Sequence, residues 1–333
     1  MSARIIVFSA LWLGLTPRAV FPQAASEKPA IVEDSLRGGD GASLFYRVVG
    51  RGADTIVVLH GGPGTGMREA LDLEDLVPRG HTLILYDQRG TGRSELVSAP
   101  ARLTLTSHVA DLEAVRRHFR LARLKLIGLS WGSGIALHYA IAHPGSVERI
   151  AFLSPMPPTG RHFVQRFARL DSLRDGGTRQ RLRTIDSLWA TAPDSLLTTL
   201  CRESFALTGA AYEEGGPDAR HARGDVCDYP PAVLRHRRTV RVAALRALGA
   251  EYDFTAALRR LPAPALVVEG ARSKVPLDAT RLWASEATNA RLLLIPEAGH
   301  RTWLDRPSTL FPAIDKFFRG DWPAGATDLP SRE

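Results

Sequence analysis

Short apolar runs alternate with segments of helical spacing along most of the chain. Residues 106–119 repeat apolar side chains such as Leu112 and Val115 on one helical face. Strands alternating with such helices predict an α/β fold whose mostly parallel sheet is flanked by helices. We predict these strands at residues 55–59, 82–86, 124–127, 149–153, 265–269 and 291–296, with an early edge strand at 43–49.

The strand pattern stops at Pro155 and resumes near Pro264. We therefore expect a core made of residues 40–154 and 262–320, and a helical cap of residues 155–261 inserted between two core strands. Four aromatic residues of this insertion either line a pocket beneath it or form its own core: Trp189, Phe205, Tyr212 and Tyr229.

The first residues have the pattern of a secretory signal. Arg4 precedes an apolar stretch at residues 5–15, and small residues surround Ala25. This stretch is too short to span a membrane but suits the apolar part of a signal peptide. We predict that residues 1–25 are removed, that the protein is secreted or periplasmic, and that no membrane span remains. An uncleaved anchor and a misassigned start codon are the alternatives.

The amino-acid composition limits the classes of binding partner that we expect for this protein. The 333 residues are 44% hydrophobic and carry a formal net charge of +8, with arginines spread along the chain. This hydrophobic content excludes disordered and fibrous classes. A scattered positive charge is typical of a solvated surface, so we expect no nucleic acid and a small-molecule or short peptide substrate. The oligomeric state stays unknown.

Two cysteines, Cys201 and Cys227, fall inside the predicted cap. Their spacing fits no metal-binding motif. In a reducing compartment they would be free thiols, whereas after export a disulfide between them becomes plausible.

One pentapeptide, Gly128-Leu129-Ser130-Trp131-Gly132, lies between a predicted strand and an apolar helical pattern. A strand, a G-x-S-x-G turn and a helix together predict a nucleophile elbow. The turn is so tight that the positions two before and two after the serine require glycine. Ser130 is therefore the candidate nucleophile, above a helix N-terminus that favours developing negative charge.

Two further motifs follow the strands predicted at 55–59 and 82–86. Residues 60–64 are HGGPG and residues 87–94 are DQRGTGRS. The glycines of the first motif let a backbone N–H point inward. We therefore predict an oxyanion hole formed by the N–H groups of Gly62 and Trp131.

His300 is the candidate general base. It ends the segment Glu-Ala-Gly-His, directly after the last predicted strand. The base of a G-x-S-x-G enzyme is expected on a loop of this kind, late in the chain. Most of the ten histidines are expected to have no chemical role.

With these motifs the sequence resembles α/β-hydrolases of the prolyl aminopeptidase (proline iminopeptidase) group. The resemblance extends over residues 40–318 and rests on the motifs at 60–64, 87–94 and 128–134 and on the AGH that ends at His300. It implies a serine nucleophile, a histidine base, an acid that orients the histidine and a cap that selects the substrate. The expected reaction is acyl transfer to water through an acyl-enzyme, which requires no metal or organic cofactor.

The position of the acid that orients the histidine departs from the family pattern. The resemblance places an Asp three residues after Gly270, where this chain has Ser273. A serine cannot stabilise an imidazolium as a carboxylate does. Glu269, at the end of a predicted strand, is the first candidate, and Asp278, on the following helix, is the second. The position after the preceding strand is Ser154, which has no carboxylate.

The predicted cap also departs from the family pattern. Family members hold the free N-terminal amine of the substrate with cap glutamates, and the corresponding residues 186–190 contain none. Glu203, Glu213 and Glu214 remain as candidates. We expect an aminopeptidase of the prolyl aminopeptidase type, with an esterase or lipase-like hydrolase of small esters as the first alternative. A non-catalytic binding protein on a hydrolase scaffold is the second, and Ser273 favours it.

Overall fold

The computed structural model describes residues 29–210 and 212–330, so the predicted signal peptide lies outside the described residues. Eight strands form one sheet: β1 Ile31–Arg37, β2 Ser43–Val49, β3 Asp54–Leu59, β4 His81–Tyr86, β5 Leu124–Leu129, β6 Val147–Leu153, β7 Ala265–Gly270 and β8 Ala290–Ile295. Their spatial order is β1-β2-β4-β3-β5-β6-β7-β8. β2 runs antiparallel to both of its neighbours, and the other pairs are parallel. The predicted α/β fold with a mostly parallel sheet is confirmed.

Helices connect these strands. The α-helices are α1 Leu105–His118, α2 Trp131–Ala142, α3 Gly160–Ser172, α4 Gly176–Leu188, α5 Asp194–Gly209, α6 Pro231–Leu248, α7 Thr255–Arg259, α8 Leu277–Ser285, α9 Thr302–Asp305 and α10 Pro307–Phe318. Two 3₁₀ helices span Met67–Arg79 and Pro100–Arg102. In the described ranges, no helix is long and apolar enough to cross a bilayer.

The sheet edge differs from the prediction. The strand predicted as the edge, β2, lies between β1 and β4, and β1 forms the edge. In β1, Leu36 is the single buried residue, and charged side chains such as Glu33 and Asp34 interrupt its apolar pattern. An edge strand with one solvated face therefore carried too weak a signal to be predicted.

Both faces of the sheet are buried. In β3, Val57 belongs to the same core as Leu112 of α1 and Ile135 of α2, whereas its neighbour Val58 belongs to the opposite core with Phe317 of α10. Successive strand residues point to opposite faces, so a strand covered on both sides reads as a continuous apolar run. This packing fixes the carboxyl ends of the parallel strands, where the candidate site residues lie.

Helices α3 to α7 lie between β6 and β7 in the chain. They include a small apolar cluster that contains Tyr229, with Trp189 packed against it. Phe205 also packs against this cluster, and both Phe205 and Tyr212 line a cavity at the sheet edge, so the expected roles of these aromatic residues overlap. Cys201 of α5 and Cys227, before α6, form a disulfide.

Candidate active site

Ser130 lies at the turn between β5 and α2. Its backbone has φ 45° and ψ −110°, a conformation that residues other than glycine rarely adopt. A Cβ on Gly132 would lie 2.3 Å from the carbonyl oxygen of Leu59, and a Cβ on Gly128 would lie 2.8 Å from that of Gly132. Both glycines are therefore required by close backbone contacts, and the turn has the geometry of a nucleophile elbow.

His300 lies on the loop between β8 and α9, and its Nδ1 is 3.1 Å from Oε2 of Glu269. Glu269 is the next-to-last residue of β7 and is fully buried. The other candidate acid, Asp278, is exposed on α8, with a carboxylate oxygen 3.7 Å from Nε2 of His162. Of the two candidate carboxylates, the structure brings Glu269 to His300 and leaves Asp278 elsewhere.

Ser154 holds this pair in place, a role that its sequence position alone did not indicate. Its hydroxyl lies 3.3 Å from Oε1 of Glu269 and donates to the carbonyl oxygen of His300. The N–H of Gly270 donates to the same Oε1 over 3.1 Å. Ser154 directly follows β6, the neighbour of β7, so the strand order was the signal needed to find it.

A cavity of about 250 Å³ opens at this edge of the sheet. Four of the five predicted site residues line it: Gly62, Ser130, Trp131 and His300. Glu269 is not part of the lining and lies behind His300. The helical insertion contributes further lining residues, among them Arg166, Phe205 and Tyr212. Across the described ranges, no three His, Cys, Asp or Glu side chains are grouped as a metal site requires.

The sequence profile of the α/β hydrolase fold matches residues 54–307, well over half of the chain. The chain belongs to the α/β-hydrolase family. The proline iminopeptidase of Levilactobacillus brevis is 26% identical to this hydrolase over 281 residues, 79% of this chain and 89% of that protein. These findings confirm a hydrolase enzyme that resembles the prolyl aminopeptidase group.

Solved structures agree on the fold of the hydrolase. The proline iminopeptidase of Mycobacterium smegmatis superposes with a TM-score of 0.66 at 19% identity, over 86% of this chain and 98% of that one. An esterase from Exiguobacterium antarcticum gives a TM-score of 0.59 at 17% identity, over 87% and 100% of the two chains. At these identities the structures show the shared architecture alone.

Burial lowers the pKa of His300 below its ordinary value of 6.5, because an apolar environment disfavours the charged imidazole. The Glu269 carboxylate opposes this shift and raises the pKa, whereas the cations Arg166 and Arg301 lower the pKa further. The net direction keeps the imidazole of the hydrolase neutral near pH 7. A neutral imidazole is the form that a general base requires.

Arg166 of α3 is a site residue that sequence reasoning missed. Its Nη2 donates to Nε2 of His300 over 3.2 Å. In the described part of the chain, this guanidinium and not the Ser130 hydroxyl is the polar partner of that nitrogen. Most arginines of α3 are exposed, but Arg166 shares a buried helix face with Leu170. That spacing of four residues was the available signal.

The motif at residues 87–94 contacts the loop that carries Gly62 of the candidate site. Gln88 donates its backbone N–H to Nε2 of His60 over 3.1 Å and its side-chain amide to the His60 carbonyl over 2.8 Å. The buried Arg89 pairs with Asp111 over 2.6 Å and with Asp40 over 2.9 Å. The motif thus anchors the loop that leads from His60 to Gly62 in the hydrolase.

Proposed function

We propose that this enzyme is a serine hydrolase that works through an acyl-enzyme. The observation that carries the proposal is one cavity lined by Ser130, on its left-handed turn, and by His300, which is bound to Glu269. Ser130 Oγ attacks the carbonyl carbon while Nε2 of His300 takes its proton. Collapse of the tetrahedral intermediate passes that proton to the leaving group. His300 then deprotonates a water that attacks the acyl-enzyme, and return of this proton to Ser130 Oγ releases the carboxylic acid product.

Backbone N–H groups of Trp131 and Gly62 are the proposed oxyanion hole. Trp131 is the first residue of α2, so its N–H has no acceptor within the helix. Gly62 has φ 119° and lines the same cavity as Ser130. Each donor of this kind contributes about 3 kcal/mol to transition-state stabilisation.

Residues 155–261 are proposed as a substrate-selecting cap. Arg166, Phe205 and Tyr212 of this segment line the cavity that contains Ser130. A cavity of about 250 Å³ lies below the range of roughly 300–1,000 Å³ that is usual for drug-sized ligands. This volume supports a small-molecule or short peptide substrate.

An aminopeptidase of the prolyl aminopeptidase type, which cleaves short N-terminal peptides or amides, is the first candidate activity. Relatives named proline iminopeptidase support it, as do the motifs at residues 60–64 and 87–94. Gly62 and Pro63 of the first motif line the same cavity as Ser130. Peptide hydrolysis needs the same acyl-enzyme chemistry as ester hydrolysis, with an amine as the leaving group.

An esterase acting on small esters is the second candidate, because the three candidate glutamates of the insertion are paired with cations. Glu203 pairs with Arg181 over 2.5 Å, and Glu214 pairs with Lys274 over 3.2 Å. Glu213 pairs with Arg301. None of the three lines the cavity of the described chain, which leaves Glu69 as the one glutamate in its lining.

A substrate panel separates these activities. Proline and alanine arylamides, their N-acetylated forms and short acyl esters are compared by kcat/KM. The aminopeptidase assignment predicts that the free-amine arylamides are hydrolysed faster than their N-acetylated forms. Turnover of the esters alone would establish the esterase, and no turnover of any compound would leave the non-catalytic scaffold.

Export is proposed from the N-terminal pattern of Arg4 and residues 5–15. The disulfide between Cys201 and Cys227 supports it, since disulfides persist mainly in oxidising compartments. N-terminal sequencing of protein from its own host is expected to begin near Ser26. An intact Met1 on protein from the cytosol would contradict export.

A further inference from the structure

Arg166 is a buried cation without a counter-charge at the reacting end of the cavity. Its side chain is 8% exposed, and its Nε has no hydrogen-bond partner among the described residues. Within those residues, no carboxylate oxygen lies within 4.0 Å of its guanidinium nitrogens. An arginine is always charged, and burial of an unpaired charge is strongly unfavourable. The position therefore calls for an anion that the chain itself does not supply.

The two contacts of Arg166 do not neutralise it. Its guanidinium carbon lies 5.4 Å from the centre of the Tyr212 ring, and Nη2 donates to a neutral His300. Two other arginines of the cavity wall do have carboxylates: Arg174 pairs with Asp171 over 3.5 Å, and Arg301 pairs with Glu213. Arg166 thus differs from them in being both more buried and unpaired.

The cavity as a whole carries positive charge. One glutamate, Glu69, lines it together with four arginines: Arg166, Arg174, Arg241 and Arg301. A cleft in which positive charge predominates concentrates anionic ligands. An anionic substrate therefore fits this wall.

The place of Arg166 specifies which part of the substrate is anionic. Nε2 of His300 delivers the proton to the leaving group, so groups within 3.2 Å of that nitrogen are next to the leaving atom. In an α-amino acid, the carboxylate carbon is two bonds from the amine nitrogen. A leaving amino acid therefore brings its carboxylate within reach of a guanidinium at this position, where bidentate pairing is favourable.

We propose that Arg166 binds a free carboxylate on the leaving group, so that the substrate is a dipeptide or N-acyl amino acid that releases an α-amino acid. The proposal rests on the serine-hydrolase mechanism above and narrows its substrate class. It is also consistent with the three candidate glutamates of the insertion lying outside the cavity lining, because the leaving carboxylate supplies a second recognition element.

Binding of such a substrate also releases the base, His300, from its hydrogen bond with Arg166. An imidazole nitrogen has one lone pair, and in the structure Nε2 of His300 accepts from Arg166. Ser130 needs the same lone pair to lose its proton. A carboxylate that recruits Arg166 leaves Nε2 to Ser130, so a substrate that carries the anion promotes the proton transfer that its own hydrolysis requires.

Matched substrates test the proposal. Alanylglycine, alanylglycinamide and the N-acetylated form of each are incubated with the enzyme, and released glycine or glycinamide is measured by mass spectrometry. We expect the free acids to exceed the amides by about 10- to 100-fold in kcat/KM, the range for a hydrogen-bonded charge. In Arg166→Gln this preference should fall to near one. Arg169→Gln, an exposed arginine on the same helix, is the matched control and should keep it.

The outcomes separate this proposal from the proposed function. Equal rates for acids and amides in the wild type, or an equal loss on both in Arg166→Gln, would overturn the carboxylate site while hydrolysis persists. If no peptide bond is cleaved, O-acetyl-lactate and O-acetyl-lactamide provide the same comparison at an ester. Faster hydrolysis of O-acetyl-lactate than of O-acetyl-lactamide would support the carboxylate site in an esterase. Equal rates for the two esters would overturn it. Failure to hydrolyse p-nitrophenyl acetate as well would remove both proposals.

Discussion

Replacement of Ser130 by alanine is expected to lower kcat by about 10⁶-fold on any substrate that the enzyme turns over. Loss of the nucleophile alone costs about that much in a serine protease, because the remaining groups cannot form an acyl-enzyme. Alanine fits the left-handed turn about as well as serine, so the fold should be retained. Single-turnover kinetics and circular dichroism of the purified variant check both expectations.

Ser172→Ala is the matched control for this variant. Ser172 is exposed at the end of α3, and its hydroxyl donates to a backbone carbonyl of the same helix. Its turnover should equal that of the wild type. If Ser130→Ala retains more than about a hundredth of wild-type kcat with its fold intact, another residue is the nucleophile.

Replacement of Glu269 by glutamine is expected to lower kcat by about 10⁴-fold, as loss of the orienting acid does in a serine protease. The carboxylate holds Nδ1 of His300 at 3.1 Å and stabilises the imidazolium that forms during the reaction. Glutamine keeps the size of the side chain but removes its charge. Steady-state kinetics on the best substrate of the panel measures the loss, and the exposed Asp278→Asn serves as the control with nearly unchanged activity.

The pH profile distinguishes positioning of the base from a general structural effect. The Glu269 carboxylate raises the pKa of His300, so its removal should lower that pKa further. The rise of kcat/KM on the acid side should then move to lower pH in Glu269→Gln. An unchanged profile with near-normal turnover would show that Glu269 is not the acid. A large loss in Asp278→Asn would point to the second candidate instead.

The local sequence was sufficient to predict those parts of the structure that depend on one strand and on the residues that follow it. Ser130 directly follows an apolar strand, and His300 lies on the short loop after another, so their placement at the carboxyl edge could be predicted from the chain alone. The parallel strands were predictable because both of their faces are buried. β1 was not, since a single buried side chain leaves no alternating pattern.

Contacts between distant segments needed the structure. Whether Glu269 or Asp278 reaches His300 depends on the neighbouring positions of β7 and β8, which no local pattern defines. The contribution of Ser154 depends likewise on β6 lying beside β7. Arg166 arrives from a helix 134 residues away in sequence from His300, and its burial follows from the way in which α3 packs over the cavity.

Covalent labelling tests the central claim, that Ser130 is the nucleophile of a serine hydrolase, most directly. Wild type and Ser130→Ala are treated with a fluorophosphonate probe, and labelled peptides are identified by mass spectrometry. The account predicts one adduct in the wild type, on the peptide that contains Ser130, and none in the variant. Equal labelling of Ser130→Ala, or a wild-type adduct on a different residue, would contradict it.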